Sequence, residues 1–337
     1  MGIRNRLLTK WPMSLAVVAI SVPAPGVAEI NVVASIKPVH SLVAGVMEGV
    51  AEPVLLVKGA GSEHGYSVRP SEARSLEQAD VVFWVGESLE TFLAKPLQAL
   101  AGSAKAVELS QVAGLSLLPT REAGTWQAQE DSDTHSSADG DRVGGALSAD
   151  SDAADEAAKE HAHGRIDMHI WLDPGNAQVL TAAIAAVLVD SDPPNAPGYL
   201  ANAERLRQRL GQLDRSLKHR LATVANRDYV VFHDAYQYFE RRYGLNAVGA
   251  ITINPTLRPS ARRLQEIQAR LREQGVACVF AEPQFEPALV DTVIEGTDAQ
   301  KGVLDPLGAD LEPGPEQYFQ LMHGLADSLI DCLGEAK

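Results

Sequence analysis

The amino-acid sequence predicts an α/β protein of two lobes, each a mostly parallel sheet covered by helices, with one long backbone helix joining them. Three observations predict it. Short β-rich apolar runs alternate with helical periodicities from residue 30 to about 190. The same alternation resumes after residue 225, and between the two lies one amphipathic stretch longer than any other. Strands alternating with helices in this way favour a parallel sheet whose crossovers are helical.

The first 28 residues read as a targeting segment. Arg4, Arg6 and Lys10 make a basic start, residues 11–22 are largely apolar but too short to span a bilayer, and Gly26-Val27-Ala28 places small residues for cleavage after Ala28. An N-terminal membrane anchor is the alternative. No cysteine follows the apolar run, since the cysteines are Cys278 and Cys332, so a lipid anchor is not expected. Removing 1–28 leaves 26 basic against 44 acidic residues. That acidity argues against nucleic acid as a ligand and suits a protein that attracts cations.

The first lobe is expected over 29–194. Runs 30–36, 54–57 and 81–85 are strand-like; 41–47 and 89–100 are helical, as is a short segment closing at Leu76. The stretch 121–164 differs, with eleven acidic residues, three basic ones and Trp126 as its one Phe, Trp or Tyr. It cannot bury enough apolar surface to offset its ordering entropy, which predicts a disordered acidic loop. Order returns at 166–172, which reads as a strand ended by Pro174 and Gly175, and a helix follows to about Val189. After the break at Asp192-Pro193-Pro194-Asn195, Leu206, Leu210, Leu213, Leu217 and Leu221 form one apolar stripe. The linking helix is placed at 195–224 and spans roughly 40 Å. The second lobe, 225–337, repeats the pattern with strands at 229–232, 248–251 and 276–280, a helix ended by Gly275, another at 287–294, the stretch 302–304 leading into a turn at 305–308, and a closing helix from 316 to 333.

Two cysteines in an exported chain invite a disulfide, which would close a loop of about 54 residues and contribute on the order of 4 kcal/mol. Two buried free thiols are the alternative.

Three of the nine histidines share one context. His64 follows the second strand, His169 lies in the run 167–172, and His233 follows the strand 229–232. Open α/β folds collect ligands at the carboxyl ends of their strands. Asp305 also follows an apolar run. Singly, each histidine reads as a hydrogen-bonded structural residue; as a set, three imidazoles with a carboxylate or water suit four-coordinate Zn²⁺. Unperturbed imidazoles predict uptake of up to three protons per zinc lost below about pH 6.5. His40, near the first strand, is a further candidate to line the cleft. His219 and His323 read as ordinary helix residues. In the acidic loop, His161-x-His163 and His135 are candidates for weak metal binding, against the reading of a solvated linker with incidental histidines. Gly59-x-Gly61-x-x-x-Gly65 misses the dinucleotide spacing by one, and neither Gly-x-x-x-x-Gly-Lys-Ser/Thr nor His-Glu-x-x-His occurs.

Several runs together resemble a known family: Ser35-Ile36-Lys37-Pro38, Gly61-Ser62-Glu63-His64-Gly65-Tyr66-Ser67-Val68-Arg69-Pro70-Ser71, Asp167-Met168-His169-Ile170-Trp171-Leu172 and Val231-Phe232-His233-Asp234-Ala235-Tyr236. They continue through Ile253-Asn254-Pro255, Cys278-Val279-Phe280-Ala281-Glu282-Pro283-Gln284-Phe285 and Leu304-Asp305-Pro306-Leu307-Gly308. They are similar to the periplasmic zinc-binding proteins of high-affinity zinc ABC importers, the ZnuA group, and span essentially the whole chain after residue 28. The resemblance implies a monomeric periplasmic solute-binding protein, not an enzyme, that captures Zn(II) between two lobes and delivers it to an inner-membrane ABC permease with its ATPase. It implies that His64, His169 and His233 bind the metal, that Glu63, Asp305 or a water completes the shell, and that Cys278 pairs with Cys332. The related manganese-binding branch tends to place a carboxylate at the third position, so His233 favours zinc. The acidic loop departs from the family in having few histidines. A zinc-dependent hydrolase, with the three histidines on the metal and Glu63 as general base, is the alternative function, and an adhesin is a third.

Overall fold

A computed structural model of the chain describes residues 30–335 apart from 101, 103, 122–165 and 254. The predicted signal segment 1–28 and nearly all of the acidic stretch, including His135, His161 and His163, lie outside the described residues. Among the described residues no helix is long and apolar enough to cross a membrane.

The first sheet comprises β1 (Val32–Ala34), β2 (Val54–Leu55), β3 (Val81–Trp84) and β4 (Lys105–Glu108), all parallel, in the order β2-β1-β3-β4. Its crossovers carry α1 (Lys37–Met47), α2 (Pro70–Glu77) and α3 (Thr91–Leu100). Every residue of β1 and β3 is buried, which is why these central strands read as unbroken apolar runs without alternation. Then come α4 (Pro174–Ser191) and α5 (Ala196–Leu221). The second sheet, β5 (Asp228–His233), β6 (Asn246–Thr252), β7 (Cys278–Ala281) and β8 (Gln300–Val303), is again parallel, in the order β6-β5-β7-β8. It carries α6 (Gln237–Tyr243), α7 (Ala261–Gln274), α8 (Ala288–Ile294) and α9 (Gln317–Glu335).

Each sheet grows outward in both directions from its first strand. The chain therefore reverses between β1 and β3 and between β5 and β7, and a crevice opens at the carboxyl ends of those strands. The leucines of the stripe in α5 are all buried, with Tyr199 and Asn202 continuing the face. They pack on α4, α1 and α9. The helix ends at Leu221, and turns occupy 222–226.

The closing helix does not stay with its own sheet. α9 packs on β8 but also on α1 and α5. The Tyr318 amide donates to Ser41 Oγ at 2.9 Å and the Tyr318 hydroxyl to the carbonyl of Trp171 at 2.7 Å. Lys37, at the start of α1, donates to the carbonyls of Gly308, Ala309 and Leu311 at 2.9, 2.5 and 2.8 Å. One continuous apolar core accordingly includes Val43, Leu210, Tyr229, Phe280 and Leu325. Cys278 at the start of β7 is disulfide-bonded to Cys332 in the last turns of α9. Separating the two sheets would expose this shared core, at a large apolar cost.

The run 167–172 is not the strand that its composition predicts. Ile166 makes one antiparallel bridge, to Pro119, and Ile170–Leu172 is a single 3₁₀ turn. All residues from 167 to 174 are buried, so no polar face alternates with an apolar one. Side chains satisfy several of their backbone groups: Asp167 takes the His169 amide, Asn176 donates to the Ile170 carbonyl, and Tyr318 donates to that of Trp171. Burial without a ladder needs those distant partners.

Gly86 shows why one turn needs glycine. Its φ is +152°, and a Cβ there would stand 2.5 Å from Glu108 Oε1 and 2.8 Å from Met168 Cε. The turn is held by Glu90, fully buried, whose Oε2 accepts from the amides of Val85 and Gly86 at 2.6 and 3.2 Å. Burial pushes the Glu90 carboxyl up to about 7, against the pull of those amides. A carboxyl raised in the folded state holds its proton more tightly than in the unfolded chain, so its contribution is full below about pH 4.5 and is lost as pH rises through about 7. Glu90→Gln keeps an acceptor and removes the titration. Its stability relative to the native protein is expected to improve by on the order of 3 kcal/mol between pH 5 and pH 8, measured by urea unfolding. A difference independent of pH would show that Glu90 is charged throughout.

Candidate metal site

His233 is the last residue of β5, and Glu282 follows the last residue of its neighbour β7. The parallel register Tyr229↔Cys278 carries both to the same end of the sheet. There the ring nitrogen Nδ1 of His233 lies 2.6 and 2.8 Å from the two Glu282 carboxylate oxygens. The His233 amide and the Tyr236 hydroxyl also donate to Glu282, at 3.3 and 3.2 Å. His169 is held in the same way. Its Nδ1 lies 2.7 Å from Asp167 Oδ1, which also accepts the His169 amide at 3.0 Å. A carboxylate on Nδ1 draws the proton to that nitrogen and leaves Nε2 with a free lone pair.

The two Nε2 atoms stand 3.3 Å apart. Two lone pairs do not face each other at that distance without a proton or a cation between them. In a tetrahedral Zn²⁺ site with bonds of 2.0–2.1 Å, neighbouring ligand atoms are about 3.4 Å apart.

Glu63 and His64 come from the loop after β2. That loop is tied down at the start of α2, where Glu72 accepts from the Arg69 amide and the Tyr66 hydroxyl, each at 2.7 Å. The His64 ring centroid lies 5.5 Å from that of His169 and 5.3 Å from that of His233. Glu63 Oε1 is 3.9 Å from His64 Nε2 and 3.8 Å from His169 Nε2. One ligand atom from each of Glu63, His64, His169 and His233 lies within 4.8 Å of the other three. Glu63 Oε1 and His64 Nε2 are buried with no hydrogen-bond partner. Each such atom costs about 1–3 kcal/mol, a cost that a cation among them removes.

The protonation pattern suits an exchange of proton for metal. Burial holds His64 down to about 2 and His233 down to about 4, and the neighbouring imidazoles add to both shifts. Burial also disfavours the His169 cation, but the charge and hydrogen bond of Asp167, with Glu63 and Asp234, outweigh it and raise His169. Glu63 is raised by burial against the attraction of His233 and His169.

Among the described residues, the structure brings no other predicted candidate into this group. Asp305 is occupied in its own turn: its oxygens accept from the amides of Leu307, Gly308 and Ala309 at 3.0, 2.8 and 2.5 Å and from Gln284 at 2.8 Å. This is the local hydrogen bonding that favours aspartate before a turn. His40 lies buried in α1 with Nε2 3.0 Å from the Pro53 carbonyl. His323 meets Arg220 at 3.3 Å. Sequence reasoning missed the roles of Asp167 and Glu282. Both lay inside recognisable runs, Glu282 just past a strand end, and that position was the available signal.

The profile of the ZnuA family, described as zinc-uptake complex component A, periplasmic, matches residues 32–332. The chain belongs to this family. Its ZnuA relatives include the high-affinity zinc uptake system protein ZnuA of Brucella suis, 47% identical over 307 residues that cover 90% of this chain and 92% of that protein. That of Yersinia pestis is 36% identical over 302 residues, 90% of this chain and 91% of the relative. The fold is shared with a crystal structure of ZnuA, at a TM-score of 0.70 and 22% identity, covering 90% of this chain and 99% of the other. It is shared equally with the periplasmic zinc binding protein TroA of Treponema pallidum, at a TM-score of 0.70 and 20% identity over 91% of this chain and 99% of that one.

Proposed function

We propose that this chain is the periplasmic zinc-binding component of a zinc-uptake ABC system, which captures Zn²⁺ between its lobes and passes it to the system's permease and ATPase. The lobes are 29–194 and 225–337 on the helix 195–224, residues 1–28 are the export signal, and the protein acts as a monomer. One observation carries the reading: two imidazoles from opposite lobes, each held at Nδ1 by a buried carboxylate, point free Nε2 atoms at one point 3.3 Å apart. His64, His169 and His233 are the nitrogen ligands, and Glu63 is the fourth. Family membership and the zinc-uptake names of the relatives support zinc as the cargo. The four ligands would fill a tetrahedral shell, whereas a hydrolytic zinc keeps a position open for water and needs a base beside it. Glu63 serves as ligand here and not as base, so no turnover follows. A zinc titration against a chromophoric chelator, followed by a screen of ester and peptide hydrolysis, tests both. Turnover that depends on zinc would favour the hydrolase.

One tight zinc per chain is expected. Deleting residues 125–163 should leave it in place, because none of the four residues lies there. Loss of the tight site on deletion would overturn the assignment.

The proton count follows from the shifts above. His64 and His233 are already neutral above about pH 4, whereas His169 and Glu63 hold their protons more tightly than usual. Zinc should therefore displace protons from His169 and Glu63 but none from His64 or His233 above about pH 4, and its affinity should fall as pH is lowered. Unperturbed imidazoles would instead predict up to three protons near pH 6.5. Nuclear magnetic resonance titration of the histidines in the metal-free protein checks this, and His64 or His233 taking up a proton near pH 6.5 would show that the imidazoles are unperturbed.

A further inference from the structure

Beyond the four metal-site residues, the seam between the lobes has its own charged pin. Residues 118–121 and 166–167 are paired by the bridge Pro119↔Ile166 and by the Asp167 amide donating to the Leu118 carbonyl at 2.8 Å. This strap belongs to the first lobe, and it leads directly into His169. Opposite it lies α6 of the second lobe, which begins three residues after Asp234. Arg121 spans the gap. Its Nε donates to Asp234 Oδ1 and Oδ2 at 3.0 and 3.2 Å, its Nη2 to Asp234 Oδ1 at 2.5 Å, and its Nη1 to Glu240 Oε2 at 2.8 Å. Glu240 is buried and Arg121 and Asp234 partly so, with side chains 17%, 7% and 6% exposed for Arg121, Asp234 and Glu240. Tyr238 adds a neutral tie, donating to the Asp167 carbonyl at 2.7 Å and accepting from the Leu118 amide at 3.1 Å.

The pin closes a short circuit. Asp234 is bonded in sequence to His233, and Asp167 lies two residues before His169. The guanidinium therefore joins the backbone segments that carry the two facing imidazoles. We propose that Arg121 is a positioning residue of the metal site, which sets the separation of His169 and His233 by holding Asp234 and Glu240 of the second lobe against the first-lobe strap. The proposal rests on the reading that zinc is held by those histidines.

A purely electrostatic role would have the opposite sign. A guanidinium near the site repels a cation, so its removal should then tighten zinc. That gain is partly offset here. Burial already raises Glu240 to about 7 even beside Arg121, with Asp234 adding to the rise, so without the guanidinium its further protonation offsets part of the lost charge. The proposed role is geometric, because a planar fork reaching two carboxylates at once fixes their relative position.

The test uses the full exported chain and its Arg121→Met, Arg121→Lys and Arg121→Met/Glu240→Leu variants. Zinc is titrated against a chromophoric chelator, and Co²⁺ spectra report coordination geometry. Arg121→Met should bind zinc about 10–100-fold more weakly, the range typical of groups that orient metal ligands, with native circular dichroism and weakened cobalt bands. Arg121→Lys, able to reach one carboxylate at a time, should fall between. The double variant, which removes an orphaned buried carboxylate, should recover melting temperature but not affinity, separating positioning from stability. Affinity of Arg121→Met within about threefold of the native protein, or tighter, with an unchanged cobalt spectrum would overturn the proposal, as would affinity recovered in step with stability. Failure of the unaltered chain to bind zinc would instead overturn the functional reading beneath it.

Discussion

Replacing His233 with alanine should weaken zinc binding by more than about a hundredfold while leaving the fold intact. Partners that only orient a metal ligand are worth about 10–100-fold, and His233 is proposed as the ligand itself. It is the one imidazole of the three carried by the second sheet, so its loss removes a nitrogen and the second lobe's share of the site. It also leaves Glu282, buried and pushed well up by that burial, without its imidazole partner. His169→Ala should behave alike, since Asp167 holds its ring as Glu282 holds that of His233. His64→Ala should cost less, because its side chain is 18% exposed and water can enter its place. Glu282→Gln, which keeps a hydrogen bond but not the charge, should cost about 10–100-fold. Competition with a chromophoric chelator ranks all four. If His233→Ala bound zinc within about threefold of the native chain, the cross-lobe site would have to be given up.

The parts of this molecule legible in its sequence are those decided by neighbours in the chain. The leucine stripe of α5 repeats because one helical face is buried, and that spacing is written locally. The two parallel sheets follow from the strand–helix alternation, and the histidines at 64 and 233 belong to strand ends in the sequence as in space, His233 closing β5 and His64 lying in the loop after β2. The failures share a different cause. The run 167–172 is apolar enough for a strand, but it lacks one because its backbone partners, Asn176 and Tyr318, come from elsewhere. Asp305 follows an apolar run as His233 does, yet its turn uses up its oxygens. Arg121 pairs with Asp234 across 113 residues, and nothing about an arginine at the edge of an acidic stretch announces that pairing. Charge and turn chemistry at a strand end are visible in one dimension, but the group that faces them is not.

Removing the Cys278–Cys332 disulfide should destabilise the protein by about 4 kcal/mol and leave its zinc affinity within about threefold. The bond closes a sequence separation of 54, and the loop-entropy estimate for that length gives the figure. Cys278 is wholly buried and Cys332 is 8% exposed, so each serine variant also buries a hydroxyl in an apolar setting, which adds to the loss. Zinc is spared for a geometric reason. Cys278 begins β7, whereas Glu282 lies beyond its other end, about 13 Å along a strand. α9 itself remains docked through its packing on α1, α5 and β8, so the metal site keeps its frame. Urea unfolding of the oxidised, reduced and Cys278→Ser/Cys332→Ser forms, each with a parallel zinc titration, measures both quantities. Equal stability of the oxidised and reduced forms would show that the bond constrains nothing, and a large loss of zinc affinity on reduction would mean that the closing helix reaches the metal site after all.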